Sequence, residues 1–237
     1  MSDRRYDVLL CDADNTIFDF EQAEVCAFAD ACAFAGLGPT DALLHTYSQI
    51  NRALWKLLEQ GGITQKELRV RRFEQFLVTI GRTDIDAPGM AQAFTDSLGR
   101  QSVPIAGAVE AVERWSRVLP VIIVTNGIAR VQRGRMDGSA VKPFISGLVI
   151  SEEVGSAKPD PAMLRIGMKQ AGVSDVRRAL MLGDSLSSDI AAAANAGIDA
   201  CWYNPRGIKN DKGLPVRYEI RDLDEVDAIL MGKEDEA

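Results

Sequence analysis

The chain has 237 residues, 46% of them hydrophobic, enough to bury a full core either as one large domain or as a core with a smaller insertion. Its 27 basic against 34 acidic side chains leave a net charge of −7, which argues against a nucleic-acid polymer or an anionic membrane surface as partner and makes any phosphate site local. A single histidine, His45, excludes a His dyad or a multi-His metal site, so carboxylates must carry any acid–base chemistry.

Residues 1–6 carry no apolar signal segment, and no run approaches the roughly 18 apolar residues of a membrane helix, so a cytoplasmic protein with no membrane contact is expected. Val8-Leu9-Leu10-Cys11 reads as a buried strand. At its exit stands Asp12-Ala13-Asp14-Asn15-Thr16, two carboxylates and a hydroxyl where open parallel sheets collect ligands. An Asx-turn capping the next helix is the purely local alternative. Cys11, Cys26, Cys32 and Cys201 show no C-x-x-C spacing and read as small buried hydrophobes.

From about 21 to 100 the pattern is helical, with no convincing strand. Helices are expected over 21–35, 41–60, 64–80 and 87–98, divided by Gly36-Leu37-Gly38-Pro39, Gly61-Gly62 and the stretch 81–88. This four-helix insertion interrupts the sheet domain just after its first strand, and its connections flank the first motif, as those of a lid would. The expected division is 1–17 with 101–237 as the sheet domain and 18–100 as the insertion. The basic groups Arg69, Arg71, Arg72 and Arg130, Arg133, Arg135 read as solvated helix faces.

Beyond residue 104, short apolar runs alternate with helical stretches. Strands are expected at 121–124, 148–150, 179–182 and 200–203, with helices near 106–118, 128–135, 160–172 and 187–196. Asp160 is the expected cap of the third helix, and Ser187 or Ser188 opens the fourth. The alternation implies an α/β fold with a doubly wound, Rossmann-like parallel sheet. The acidic stretch 232–237 reads as a frayed tail.

Each later strand also ends in polar residues: Thr125-Asn126-Gly127 after the second, a segment running to Lys158-Pro159 after the third, and Gly183-Asp184 with Asp189 after the fourth. Parallel strands bring these ends to one edge. Four carboxylates there (Asp12, Asp14, Asp184, Asp189) would repel one another, and a cation resolves the conflict. An all-oxygen set with room for water suits Mg2+, which takes phosphate oxygens as remaining ligands. Phosphoryl transfer follows naturally: one carboxylate attacks phosphorus, a second moves the proton, Lys158 neutralises phosphoryl oxygens, and Thr125 and Asn126 with nearby N–H groups orient them.

These signatures, in their order and on these elements, resemble those of the haloacid dehalogenase superfamily of phosphohydrolases. The resemblance implies that Asp12 is the nucleophile and also a metal ligand, and Asp14 the general acid and base. It implies Asp184 as the chief later Mg2+ ligand, Asp189 as a ligand direct or through water, and the backbone carbonyl of Asp14 as part of the cage. The insertion then corresponds to the superfamily's helical cap domain. Asp12 to Phe20, Asn51-Arg52-Ala53-Leu54-Trp55, the stretch 150–155 and Ala200-Cys201-Trp202-Tyr203-Asn204 further resemble the pyrimidine 5'-nucleotidase, or house-cleaning nucleotidase, branch.

The expected activity is a Mg2+-dependent phosphomonoesterase acting on a small phosphorylated metabolite, foremost a nucleoside 5'-monophosphate with a pyrimidine base. Alternatives are a phosphatase of sugar phosphates or phosphorylated acids, a phosphomutase, and a non-catalytic binding protein. Dehalogenation needs neither Asp14 nor Asp184. Phe18, Phe20 and Trp55 are expected to shield the site on closure and contact the leaving group.

Overall fold

Five apolar runs and one short further segment become parallel strands: β1 (Val8–Cys11), β2 (Val121–Thr125), β3 (Gly147–Ile150), β4 (Ala179–Gly183), β5 (Asp199–Tyr203) and β6 (Tyr218–Ile220). The computed structural model describes residues 4–232. The strands form one sheet in the order β3-β2-β1-β4-β5-β6. The register sets Cys11 beside Ile123 on one side and Leu182 on the other, so the ends of β1, β2 and β4 lie level. This is the doubly wound α/β architecture expected. β6 is an addition: Tyr-Glu-Ile at a sheet edge is too short for its own periodicity to show, and the main-chain ladder to β5 defines it.

Side chains alternate across the central strand. Leu9 and Cys11 join Ile123, Leu182 and Cys201 in one core, against Trp115 of α5 (Ala108–Ser116) and Val226 and Ile229 of α10 (Glu225–Leu230). Val8 and Leu10 join Ile122, Met181 and Trp202 in the other. Covering that face are Met163 and Leu164 of α8 (Ala162–Gln170) and Ala192 and Ala193 of α9 (Ala191–Ala196). Burial on both faces is why these strands read as unbroken apolar runs.

Two further helices start at or near strand ends: α6 (Ala129–Asp137) after β2, and the single turn α7 (Ser151–Val154) after β3. A π-helical turn, Leu186–Ile190, precedes α9, and the hydroxyl of Ser185 caps it by accepting from Ser188 N. This corrects the expected start at Ser187 or Ser188. Similarly α8 begins one residue later than its Pro would suggest, with Asp160 accepting from Ala162 N as a local turn.

The helical unit contains α1 (Phe20–Phe34), α2 (Asp41–Glu59), α3 (Gln65–Thr79) and α4 (Ala87–Leu98). A capping box at Thr64 and Glu67 sets the start of α3. Its core is aromatic: Tyr47 stacks on Phe28 and Phe73 at centroid separations of 5.0 and 5.2 Å, with Phe76 and Phe94 closing the cluster.

The compact units divide elsewhere than at 17/18 and 100/101. The helical unit runs Phe20–Ser102 and also takes in Arg130–Arg135. Phe18 stays with the sheet unit through bridges to Asp14 and Pro104, and Asp19 N donates to Val103 O at 3.0 Å. Arg130–Arg135 join the helices because Arg130 pairs with Asp96 and Arg135 Nε donates to Gln101 O, each at 3.0 Å. Gly134 packs so close that a Cβ there would fall 2.6 Å from Gly99 O.

Burial corrects two further expectations. Arg72 and Arg135 are buried, not solvated, Arg72 with its guanidinium 4.4 Å above the Phe94 ring. Cys26 is exposed, whereas Cys11, Cys32 and Cys201 are buried as expected. Among the described residues no helix is long and apolar enough to cross a membrane. The expected acidic tail, beyond its first residue, lies outside the described residues.

Candidate active site

The chain leaves β1 through a tight turn. Asp12 N donates to Leu182 O, then Ile17 N and Phe18 N both return to Ala13 O, which needs a left-handed residue within the loop. Asn15 supplies it at φ 59°, a conformation its short polar side chain tolerates. Asp12 is thereby buried at the end of β1, while Asp14 is partly exposed. Thr16 is turned fully inside, and Phe18 is wholly buried in the core with Leu9 and Ile123. Phe18 therefore supports the loop from within, which corrects its expected place against a leaving group.

Lys158 reaches the same point from the loop after α7, whose helical turn ends at the left-handed Gly155. The ammonium is 1% exposed. Nζ donates to Asp12 Oδ1 at 2.5 Å, Asp189 Oδ1 at 2.6 Å and Val124 O at 2.6 Å, which uses all its donors. Asp189, in the π-helical turn, takes a further bond on Oδ2 from Ser185 N at 3.0 Å. Asp184 is fixed through its backbone, its carbonyl accepting from the Trp202 indole at 2.8 Å. The sequence reading missed this brace, although a Trp in a buried strand needs a partner for its N–H.

Thr125 closes β2 and Asn126 follows it, and both side chains are already engaged. Thr125 Oγ1 accepts from Gly127 N at 3.1 Å. The Asn126 carboxamide binds the main chain of Lys158, Nδ2 to O and N to Oδ1, both at 2.7 Å. Phe20 and Trp55 belong to the helical unit, and Trp55 is half-buried against Leu54, Ile63 and Leu68.

The carboxylates are electrostatically frustrated. Burial, reinforced by Asp189 and Asp14 and opposed by Lys158, pushes the Asp12 carboxyl up to about 7. Burial, with Asp189 and Asp12 beside it, pushes Asp184 up to about 8. For Lys158 burial works against the ammonium, but Asp12 and Asp189 outweigh it and raise its pKa, so it stays charged. One ligand atom from each of Asp12, Asp184 and Asp189 lies within 4.8 Å of the others. This hard-oxygen set fits a divalent cation of the Mg2+ type, whose charge would relieve the repulsion. The carboxylate of Asp14 is outside that cluster.

The family model described as haloacid dehalogenase-like hydrolase matches residues 6–197. Pyrimidine 5'-nucleotidase PynA of Streptococcus pneumoniae is 35% identical over 217 residues, 91% of each chain. Pyrimidine 5'-nucleotidase YjjG of Escherichia coli is 29% identical, covering 95% of this chain and 98% of that one. A crystal structure of YfnB from Bacillus subtilis bound to magnesium aligns with TM-score 0.89 and 31% identity, over 96% of this chain and 99% of that one. The motifs, their convergence at one sheet edge and these matches agree: the chain belongs to the haloacid dehalogenase-like hydrolases.

Proposed function

We propose that this hydrolase is a Mg2+-dependent phosphomonoesterase that works through an aspartyl-phosphate on Asp12, with pyrimidine nucleoside 5'-monophosphates as substrates. The observation that carries the reading is the 2.5 Å contact of Asp12 Oδ1 with the buried ammonium of Lys158, inside a cluster of carboxylates.

In the first half-reaction a carboxylate oxygen of Asp12 attacks phosphorus, the bond from phosphorus to the ester oxygen breaks, and Asp14 gives its proton to the departing alcohol. In the second, Asp14 takes a proton from water as the water oxygen attacks phosphorus, and the bond from phosphorus to Asp12 breaks to release inorganic phosphate. Phosphorylation of Asp12 uses up its carboxylate charge, so the Lys158 donor held by Asp12 becomes available to a phosphoryl oxygen. Thr125 and the backbone N–H groups after it orient the phosphoryl group. Asp12, Asp184 and Asp189, with the backbone carbonyl of Asp14, would hold Mg2+, whose positive charge keeps Asp12 ionised and offsets the phosphoryl oxygens. The magnesium-bound state of YfnB supports this choice of ion.

The substrate class rests on the similarity to the pyrimidine 5'-nucleotidases PynA and YjjG. The helical unit is assigned the part of a cap, in which Phe20 and Trp55 help select the leaving group. The deciding experiment is a phosphate-release screen with Mg2+ across nucleoside monophosphates, sugar phosphates and short phosphorylated acids. Pyrimidine monophosphates should lead by about tenfold or more. A preference outside nucleotides overturns the substrate class, and no release from any of them overturns the phosphatase reading.

A further inference from the structure

Lys158 belongs to a stretch, residues 156–158, that lies outside any strand or helix. Its main chain is nevertheless held laterally on both of its polar groups. Asn126 Nδ2 donates to Lys158 O and Asn126 Oδ1 accepts from Lys158 N, each at 2.7 Å, short for N–H···O bonds. A carboxamide places donor and acceptor side by side, and the two partners determine which way the amide faces. At the far end of the same side chain, Nζ binds Val124 O at 2.6 Å. Lysine 158 is thus tied to the end of β2 at both extremities, by the main chain through Asn126 and by the ammonium through Val124.

We propose that Asn126 is a positioning residue that acts through Lys158, clipping its main chain to β2 so that the ammonium meets Asp12, and that its side chain is not a ligand of the phosphoryl group. The proposal rests on the reading of Lys158 as the cation that neutralises that group.

The test has two arms. In the first, kcat/KM for an aryl phosphate with saturating Mg2+ is measured for the parent chain, Asn126→Ala, Lys158→Ala and the double variant. If Asn126 acts through Lys158, Asn126→Ala costs about 10²-fold in the parent chain but less than about threefold when Lys158 is already alanine. Equal factors in both backgrounds overturn the proposal, because a phosphoryl ligand would lose its contact either way. In the second arm, hydrogen exchange at the Lys158 amide should accelerate about tenfold in Asn126→Ala while the amides of β3 hold. An unchanged rate overturns the clip. Exchange needs no turnover, so a chain that releases no phosphate refutes the phosphatase reading and still leaves the clip decided. Asn126→Asp keeps the acceptor for Lys158 N and loses the donor to Lys158 O, so it covers the case in which the alanine variant does not fold. It should give a smaller acceleration, and parent rates in both assays overturn the proposal.

Discussion

Gly183 and Asp189 share one space: a Cβ on Gly183 would fall 2.3 Å from Oδ2 of Asp189. The last residue of β4 is therefore held to glycine by the carboxylate that pairs with Lys158. Gly183→Ala must push Asp189 aside, strip Lys158 of a partner and disturb the bond from Ser185 N. We expect an activity loss of about 10²-fold with a destabilisation of about 1–3 kcal/mol. Steady-state kinetics and urea unfolding test this, and parent-like turnover would show that Asp189 does not need its present seat.

Asp12→Asn keeps the shape of the side chain and removes the nucleophilic oxygen charge. Turnover should fall by at least about 10³-fold while circular dichroism stays that of the parent. Asp14→Asn should also abolish steady turnover, but a phosphoenzyme should still form when the leaving group is a good one such as a nitrophenolate, which departs without a proton. Turnover by Asp12→Asn above a hundredth of the parent rate removes the nucleophile from the mechanism.

A pH dependence follows from the raised carboxyls of Asp12, about 7, and Asp184, about 8. An acid whose folded pKa lies above its unfolded value binds more protons folded than unfolded, so folding loses stability as pH rises from near 4 through the folded pKa. The metal-free protein should therefore melt lower at pH 8.5 than at pH 6. Because Mg2+ needs the ionised carboxylates, the rise in melting temperature on replacing chelator by Mg2+ should be larger at pH 8.5. A larger rise at pH 6 would mean that these acids are not the ones answering the metal.

Arg72 gives a test independent of catalysis. It is 1% exposed, lies 4.4 Å above the Phe94 ring and donates to Asn51 Oδ1 at 3.3 Å. Arg72→Ala removes the packed stem as well as the charge and should cost about 3 kcal/mol in urea unfolding. Arg72→Met keeps much of the volume and relieves the desolvation of the guanidinium, so it should cost less than half of that. Equal losses would assign the stability to the charge and its contacts with Phe94 and Asn51.

Unbroken apolar runs bounded by Gly, Pro and Asp announce β1, β2, β4 and β5, because a parallel sheet covered on both faces buries nearly all of its central strands. The helices of the insertion were likewise readable from their helical pattern and the Gly and Pro breaks between them. The chemistry-bearing positions were legible for a related reason: once strands are parallel, residues at their exits must meet at one edge. Asp12, Lys158 and Asp189 do meet there.

Residue type and spacing therefore determined the fold class and the acidic and cationic character of the site, and the resemblance of the motifs pointed to the family. The tertiary structure decided which neighbour each side chain spends its bonds on. It turned Asn126 toward the main chain of Lys158, put Phe18 in the core, buried Arg72 and Arg135, and joined Arg130–Arg135 to the helical unit. Local sequence reports periodicity and turn chemistry, which act within a few residues. Pairings such as Asn126 with Lys158, 32 positions apart, depend on how the loops are brought together, and no local pattern encodes them.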